Sequence, residues 1–264
     1  RILNIADMTT NGAFTLGCAV SATIALAGHP YLAFPAAMLA GAAAGFVTAL
    51  LQTKFRIPSI LAGIITDTGL YTVNLAVMGF SSNVNLLKKA TLFSALKPML
   101  GTYYRLVPSA LIAIITVVLL VLFLKTRLGL SIRATGDNPD MVRASSINTN
   151  FTITVGLCVA NACTALSGAL LAQYQKAADI NLGGGMVIIG LASLIIGEAL
   201  MPKGKLWMKA AGAVVGSIVY RFIIAIALRL DLPSECLKLI SAVIVALAIG
   251  LPALTNAKGG KVKC

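Results

Sequence analysis

Apolar residues fall in long runs along this chain, separated by short polar connections, and eight of the runs approach the ~20 residues a helix needs to cross a bilayer. They cover residues 12–28, 33–53, 58–79, 106–124, 151–174, 185–201, 208–228 and 236–252. Such runs predict an all-α fold, a polytopic transmembrane helix bundle of about eight spans. The chain opens at Arg1 in a half-polar stretch, so a further amino-terminal helix is expected upstream. Residues 1–257 read as a single transmembrane domain, and 258–264, rich in Gly and Lys, as a disordered cytoplasmic tail.

Polar residues inside the runs are the candidates for function. Asp67 sits near the middle of the third run, in Ile65-Thr66-Asp67-Thr68-Gly69, and Asn74 follows two turns later on nearly the same face. A carboxylate at that depth costs about 3 kcal/mol in lipid, so it faces protein or a watery cavity. The structural alternative is a carboxyl satisfied by the neighbouring hydroxyls.

The opening stretch Leu3-Asn4-Ile5-Ala6-Asp7-Met8-Thr9-Thr10-Asn11-Gly12 is too polar for a regular span yet leads straight into one. A broken helix offering backbone groups to a polar solute and a simple aqueous loop both fit. A second interruption, Asp179-Ile180-Asn181-Leu182-Gly183-Gly184-Gly185, precedes the sixth run. Two Asn-bearing breaks in corresponding positions fit an internal repeat, and a glycine-rich outer turn explains the second break nearly as well. Asn4, Asp7, Thr10, Asp67, Asn74 and Asn181 are therefore the candidates for a translocation path.

Other polar groups carry less weight. Glu198 lies near the end of the sixth run, Arg221 is placed to snorkel to the interface, and His29 stands beside Pro30 with no partner at ligand spacing. Gly41 with Gly45, and Gly212 with Gly216, are spaced four apart and predict close helix packing, within the bundle rather than between subunits.

Composition removes the soluble alternatives. Hydrophobic residues make up 58% of the 264, charged residues only 11%, and mean hydropathy is +0.94. A net charge of +13 in a soluble chain points to nucleic acid, but here the basic residues sit between apolar runs and no nucleic-acid partner is expected. Connections 54–57, 125–150 and 202–208, and the carboxyl terminus, carry Lys and Arg and so are assigned to the cytoplasm. Against that rule, 80–105 falls outside although it holds Lys88, Lys89, Lys97 and Arg105. The five cysteines form no C-x-x-C pair, and neither a disulfide framework nor a metal site is expected.

The connection 125–150 is the longest charged stretch and contains a helix-start signal. Asn138 suits the cap, Pro139 the first helical position and Asp140 the positive end of the helix dipole, predicting a short helix to about Ser146. Met141, Val142 and Ala144 give that helix an apolar side. It suits docking to another protein or lying on lipid.

The stretch from Arg133-Ala134, through Gly136 and Asn138, to Ile147-Asn148 resembles the cytoplasmic loop of ABC importer permeases of the branched-chain amino acid and ribose type. Leu3-Asn4-Ile5-Ala6 with Gly12 is similar to that family's amino-proximal L-N-x-A element. Ser167-Gly168-Ala169 resembles its small-residue helix, and residues 183–197 its late glycine-rich span. Gly136-Asp137-Asn138-Pro139 and Ile196-Gly197-Glu198-Ala199-Leu200 resemble a branch associated with amino acids, tryptophan among them. Asp67 departs from the pattern, being more acidic than the family leads one to expect.

The resemblance implies a non-enzymatic, multi-pass permease subunit of the bacterial plasma membrane, moving a small polar solute, with an amino acid favoured over a sugar or nucleoside. It implies a second permease copy, two ABC ATPase subunits and an extracytoplasmic solute-binding protein as partners. No G-x-x-x-x-G-K-[ST] occurs, so the chain needs no cofactor of its own, and ATP and Mg belong to the ATPase. Arg133, Gly136, Asp137, Asn138, Asp140 and Arg143 become the expected coupling residues. An ion- or proton-coupled secondary transporter using Asp67 is the alternative from the polar pattern, and a purely structural membrane subunit is a third.

Overall fold

The computed structural model describes residues 2–3, 5–87, 89–201 and 206–229. Asn4, the expected eighth span and the expected tail lie outside them. Within the described residues the chain forms ten α-helices and one small sheet. Seven of the eight expected runs are helices: α1 (Thr10–Leu26), α2 (Ala33–Thr53), α3 (Ser59–Val77), α5 (Leu106–Lys125), α8 (Thr149–Gln175), α9 (Met186–Leu200) and α10 (Leu206–Arg229). Five of these, α2, α3, α5, α8 and residues 206–226 of α10, are long and apolar enough to cross a membrane; α1 and α9, at 17 and 15 residues, are shorter. The remaining elements are β1 (Asn83–Asn85), α4 (Leu92–Leu100), a single 3-10 turn (Gly101–Tyr103), α6 (Arg127–Asp137), α7 (Pro139–Ala144) and β2 (Ala177–Asp179).

The chain divides into two compact units, residues 1–184 and 185–264. In the first, α1 is the innermost helix, buried without a break from Gly12 to Ala19 and packed by α2, α3 and α8. Glycine makes these approaches possible. A Cβ at Gly17 would collide with the backbone of Ala165, and one at Gly41 or Gly45 with the carbonyls of Asn161 or Leu157 on α8. Where helix axes come this close, small residues and carbonyl-directed hydrogen bonds replace side-chain interdigitation. Ser21 Oγ accordingly donates to Ala169 O at 3.2 Å. The outward faces carry Ile60, Leu61, Ile64 and Tyr71 on α3 and Leu111, Ile114 and Leu119 on α5, all exposed. An apolar surface of that extent suits lipid, not water.

The connections gather at the two ends of this unit. At one, β1 pairs antiparallel with β2 in the register Asn83↔Asp179, Val84↔Ala178, Asn85↔Ala177. Thr91 and Ser94 form a capping box that starts α4. Buried Gln173 ties this end together, accepting Leu92 N–H at 2.9 Å and donating to Ser21 Oγ at 3.2 Å and Pro30 O at 2.9 Å. The other end holds α6 and α7. The sequence predicted one short helix there; the structure has two, because Thr126 Oγ1 accepts Gly129 N–H at 3.3 Å and opens α6, whose Ile132 and Thr135 turn inward.

In the second unit α9 and α10 pack through glycine. A Cβ at Gly197 would strike the Gly212 backbone, and one at Gly216 the Ser193 carbonyl. Both glycine pairs read from the sequence thus serve contacts inside the chain.

Candidate functional site

Residues 5–8 form no regular structure, and three helices hold this stretch in place. Asp7 Oδ1 accepts Thr9 N–H at 2.9 Å, closing a tight turn into α1. Thr48 of α2 donates its hydroxyl proton to Ala44 O at 3.2 Å, so Thr9 is the donor in the 2.8 Å Thr9–Thr48 hydroxyl contact. Asn161 of α8 donates Nδ2–H to Asp7 Oδ2 at 2.8 Å and to Leu157 O at 3.1 Å. Met8 lies flat on Gly63 of α3, where a Cβ would come within 2.7 Å of Met8 N. Irregular backbone is tolerated where protein packs against it, and here α2, α3 and α8 do so on one side, while Ala6 and Met8 stay exposed.

Asp67 and Asn74 face the same point from α3. Asn74 Nδ2 donates to Gly12 O at 3.2 Å, and Asp67 Oδ1 lies 2.7 Å from where a Gly12 Cβ would stand. Only glycine leaves room for that carboxylate against α1. The hydroxyls of Thr66 and Thr68 donate to Ala62 O and Ile64 O, each at 2.9 Å, so neither satisfies Asp67. Two amide oxygens in the cluster, Asn74 Oδ1 and Asn161 Oδ1, are buried and have no hydrogen-bond partner.

Of the residues predicted for a translocation path, Asp7, Thr10, Asp67 and Asn74 thus meet at the start of α1, with Thr10 Oγ1 donating to Asp7 O at 3.4 Å. Asn181 does not join them. It is exposed, in a turn made by Asp179 Oδ1 accepting Asn181 N–H at 2.7 Å. From that second break it is Gly183 that reaches α1, donating N–H to Thr15 Oγ1 at 3.1 Å. Asn161, Thr48 and Gly183 were not singled out from the sequence. Asn161 had a readable signal, an amide in the middle of the apolar run 151–174, where the other amide, Gln173, stands at the end.

The expected coupling residues lie at the α6–α7 end. Asn138 Oδ1 accepts Asp140 and Met141 N–H, both at 3.1 Å, and starts α7 as predicted. Val142 turns inward while Met141 stays exposed. Arg143 approaches Asp140 at 3.5 Å and donates Nε–H to Thr149 Oγ1 of α8 at 3.2 Å. Arg133, Asp137, Asn138, Asp140 and Arg143 are all exposed. Gly136 differs: a Cβ there would collide with the Ile2 carbonyl and the Leu3 backbone, so its place is an internal contact with the amino-terminal segment. Leu3 in turn packs on Gly156 of α8, and Thr135 shares a 2.9 Å hydrogen bond with Thr152 of the same helix.

Residues 1–249 match a protein family described as the branched-chain amino acid transport system permease component. The chain is 37% identical to the tyrosine transport system permease protein of Clostridioides difficile, across 93% of this chain and 81% of that one. An uncharacterized protein of Rickettsia prowazekii is 33% identical over 94% of this chain and 88% of its own length. The ribose import permease protein of Haemophilus influenzae is 23% identical over 92% and 75%. No solved structure matches the chain.

Proposed function

The chain belongs to the branched-chain amino acid transport system permease family, a group of multi-pass transport subunits of the bacterial inner membrane, and from that premise we propose that it is the permease subunit of an ABC importer for an amino acid. Tyrosine, named for a relative that is 37% identical, is the first solute to try. In this reading an extracytoplasmic binding protein delivers the solute, a second permease copy completes the pathway, and two ATPase subunits carry ATP and Mg.

The observation that carries the reading is the continuous path from α7 to the polar cluster. Helix α8 touches the exposed α6–α7 pair through Thr149 and Thr152, and holds Asp7 through Asn161. The amino-terminal segment adds a second set of contacts, Ile2 and Leu3 on Gly136 and Asp7 on Asn161. ATP-driven closure of the motor would displace α7, and both routes would carry that displacement to the residues around Gly12. A packed two-route linkage moves as a unit, which alternating access requires.

The test is affinity capture of the chain from native membranes, followed by uptake of labelled L-tyrosine in proteoliposomes. Capture of a P-loop ATPase and a solute-binding protein, with ATP-dependent uptake, is the expected result. Replacing Asp140 and Arg143 together with Ala is expected to leave ATP hydrolysis running while uptake falls at least tenfold. Uptake driven by an ion gradient in the absence of any ATPase would overturn the proposal in favour of a secondary transporter. Asp67, which makes no ion pair among the described residues, would then be its coupling group.

A further inference from the structure

We propose that Lys97 and Arg105, held on Tyr104 and Tyr174 where α4, α5 and α8 meet, bind the phosphate of an anionic phospholipid. The arrangement is built from the core outward. Phe93, the buried anchor of α4, meets the Tyr174 ring of α8 edge-on, at 5.8 Å between centroids and 89° between planes. Arg105, just before α5, places its guanidinium over the rings of both Tyr174 and Tyr104, 5.4 Å from each centroid. Lys97 Nζ of α4 stands over the same Tyr104 ring at 5.9 Å. Two cations thus converge on one ring, and the stack limits their rotamers before any anion arrives.

Nothing at this end of the fold neutralises them. The sequence has no Asp or Glu between Asp67 and Asp137. Neither Lys97 nor Arg105 forms an ion pair among the described residues. Of the carboxylates in residues 1–184, only Asp179 lies at the β1–β2 end, and its Oδ1 is engaged by Asn181 N–H at 2.7 Å. The positive end of the α5 dipole, at Leu106, adds to the excess. Like charges gathered at one ring repel each other, and an anion between them relieves that repulsion. A local anion also gives a reason for Lys and Arg in a connection that the span count places outside, against their cytoplasmic bias.

Depth selects lipid among the anions. Helix α5 has 20 residues, and a helix of that length rises about 30 Å, the thickness of a bilayer's hydrocarbon core. Arg105 precedes its first residue and so stands at the level of the lipid phosphates. Along α5 from there, Leu106, Leu111 and Ile114 are exposed, the track an acyl chain would follow. Exposed Tyr103 joins Tyr104 and Tyr174 as the aromatic belt usual at that level. Phosphatidylglycerol suits the pair because its headgroup has no cation of its own, whereas a choline would meet tyrosine faces already occupied.

The experiment titrates the full chain, purified in nonionic detergent, with phosphatidylglycerol or phosphatidylcholine of the same acyl chains at constant ionic strength, and reads bound lipid by native mass spectrometry. Phosphatidylglycerol is expected to bind more tightly. One basic group near a membrane surface is worth about fivefold in affinity for anionic lipid, so Lys97→Gln and Arg105→Gln should each weaken it by about that factor. Lys89→Gln removes the same charge from an exposed position of the same connection outside the stack, and is expected to change it less than about twofold. The melting temperature of each variant confirms that it is folded. Equal affinity for the two lipids, a preference unaltered in both Lys97→Gln and Arg105→Gln, or a loss in Lys89→Gln as large as theirs would overturn the proposal. Inorganic phosphate and an oligoglutamate peptide serve as competitors, and neither is expected to displace the lipid. Displacement by phosphate would overturn the lipid assignment in favour of a free anion, and displacement by the peptide in favour of an acidic protein surface.

Discussion

Two polar breaks with similar composition, residues 5–9 before α1 and 179–185 before α9, adopt different structures. The first is an irregular segment packed on one side by α2, α3 and α8, with Asp7 bonded to Asn161 of α8 and Thr9 to Thr48 of α2. The second is the end of strand β2 followed by turns, with Asn181 exposed and Gly185 at φ +90°. Its Ile180 is buried and its Gly183 bonds to α1, while none of its polar side chains is buried. Polarity in a break therefore does not identify a site; what encloses the break does. A carboxylate answered by an amide from a helix 154 positions away is a different object from one that closes its own turn two residues on.

That contrast can be broken experimentally at three positions. The largest effect is expected from Gly63→Val. Three carbons in place of the hydrogen would push into the Met8 backbone, costing about 3 kcal/mol by overpacking and displacing Asp7. Uptake should fall well over tenfold, with a lower melting temperature. Gly183→Ala is expected to be intermediate, because its Cβ would meet the Asn11 carbonyl and Thr15 Oγ1. A loss of about 1–2 kcal/mol and a several-fold drop in uptake would show that the second break matters through its backbone. Asn181→Ala should be silent, within about 0.5 kcal/mol in stability and twofold in uptake, as for an ordinary surface position. A strong effect there would undo the distinction between the two breaks.

Much of the architecture was legible from residue pattern alone. The run 33–53 coincides with α2, and 106–124 with α5 to within a residue. Asn138-Pro139-Asp140 announced α7 because capping is settled within four residues of chain. Helix α6 was not anticipated, since its mixed polar and apolar residues lack a long run, and its inward side is decided by Ile132 and Thr135 meeting α8. Asn181 drew attention on polarity and proved peripheral, whereas Asn161 passed unremarked within an apolar run.

The sequence by itself determined that this is a helical membrane protein, where its apolar segments run and where its polar residues interrupt them. Those properties follow from transfer free energies and local hydrogen bonding, which each segment carries with it. Tertiary structure alone decided which interruptions converge. Asp7, Gly12, Asp67, Asn74 and Asn161 are scattered over 155 positions, and what joins them is the close approach of glycine-bearing helices. A buried acceptor gains its meaning from the donors near it, and those depend on how the helices pack.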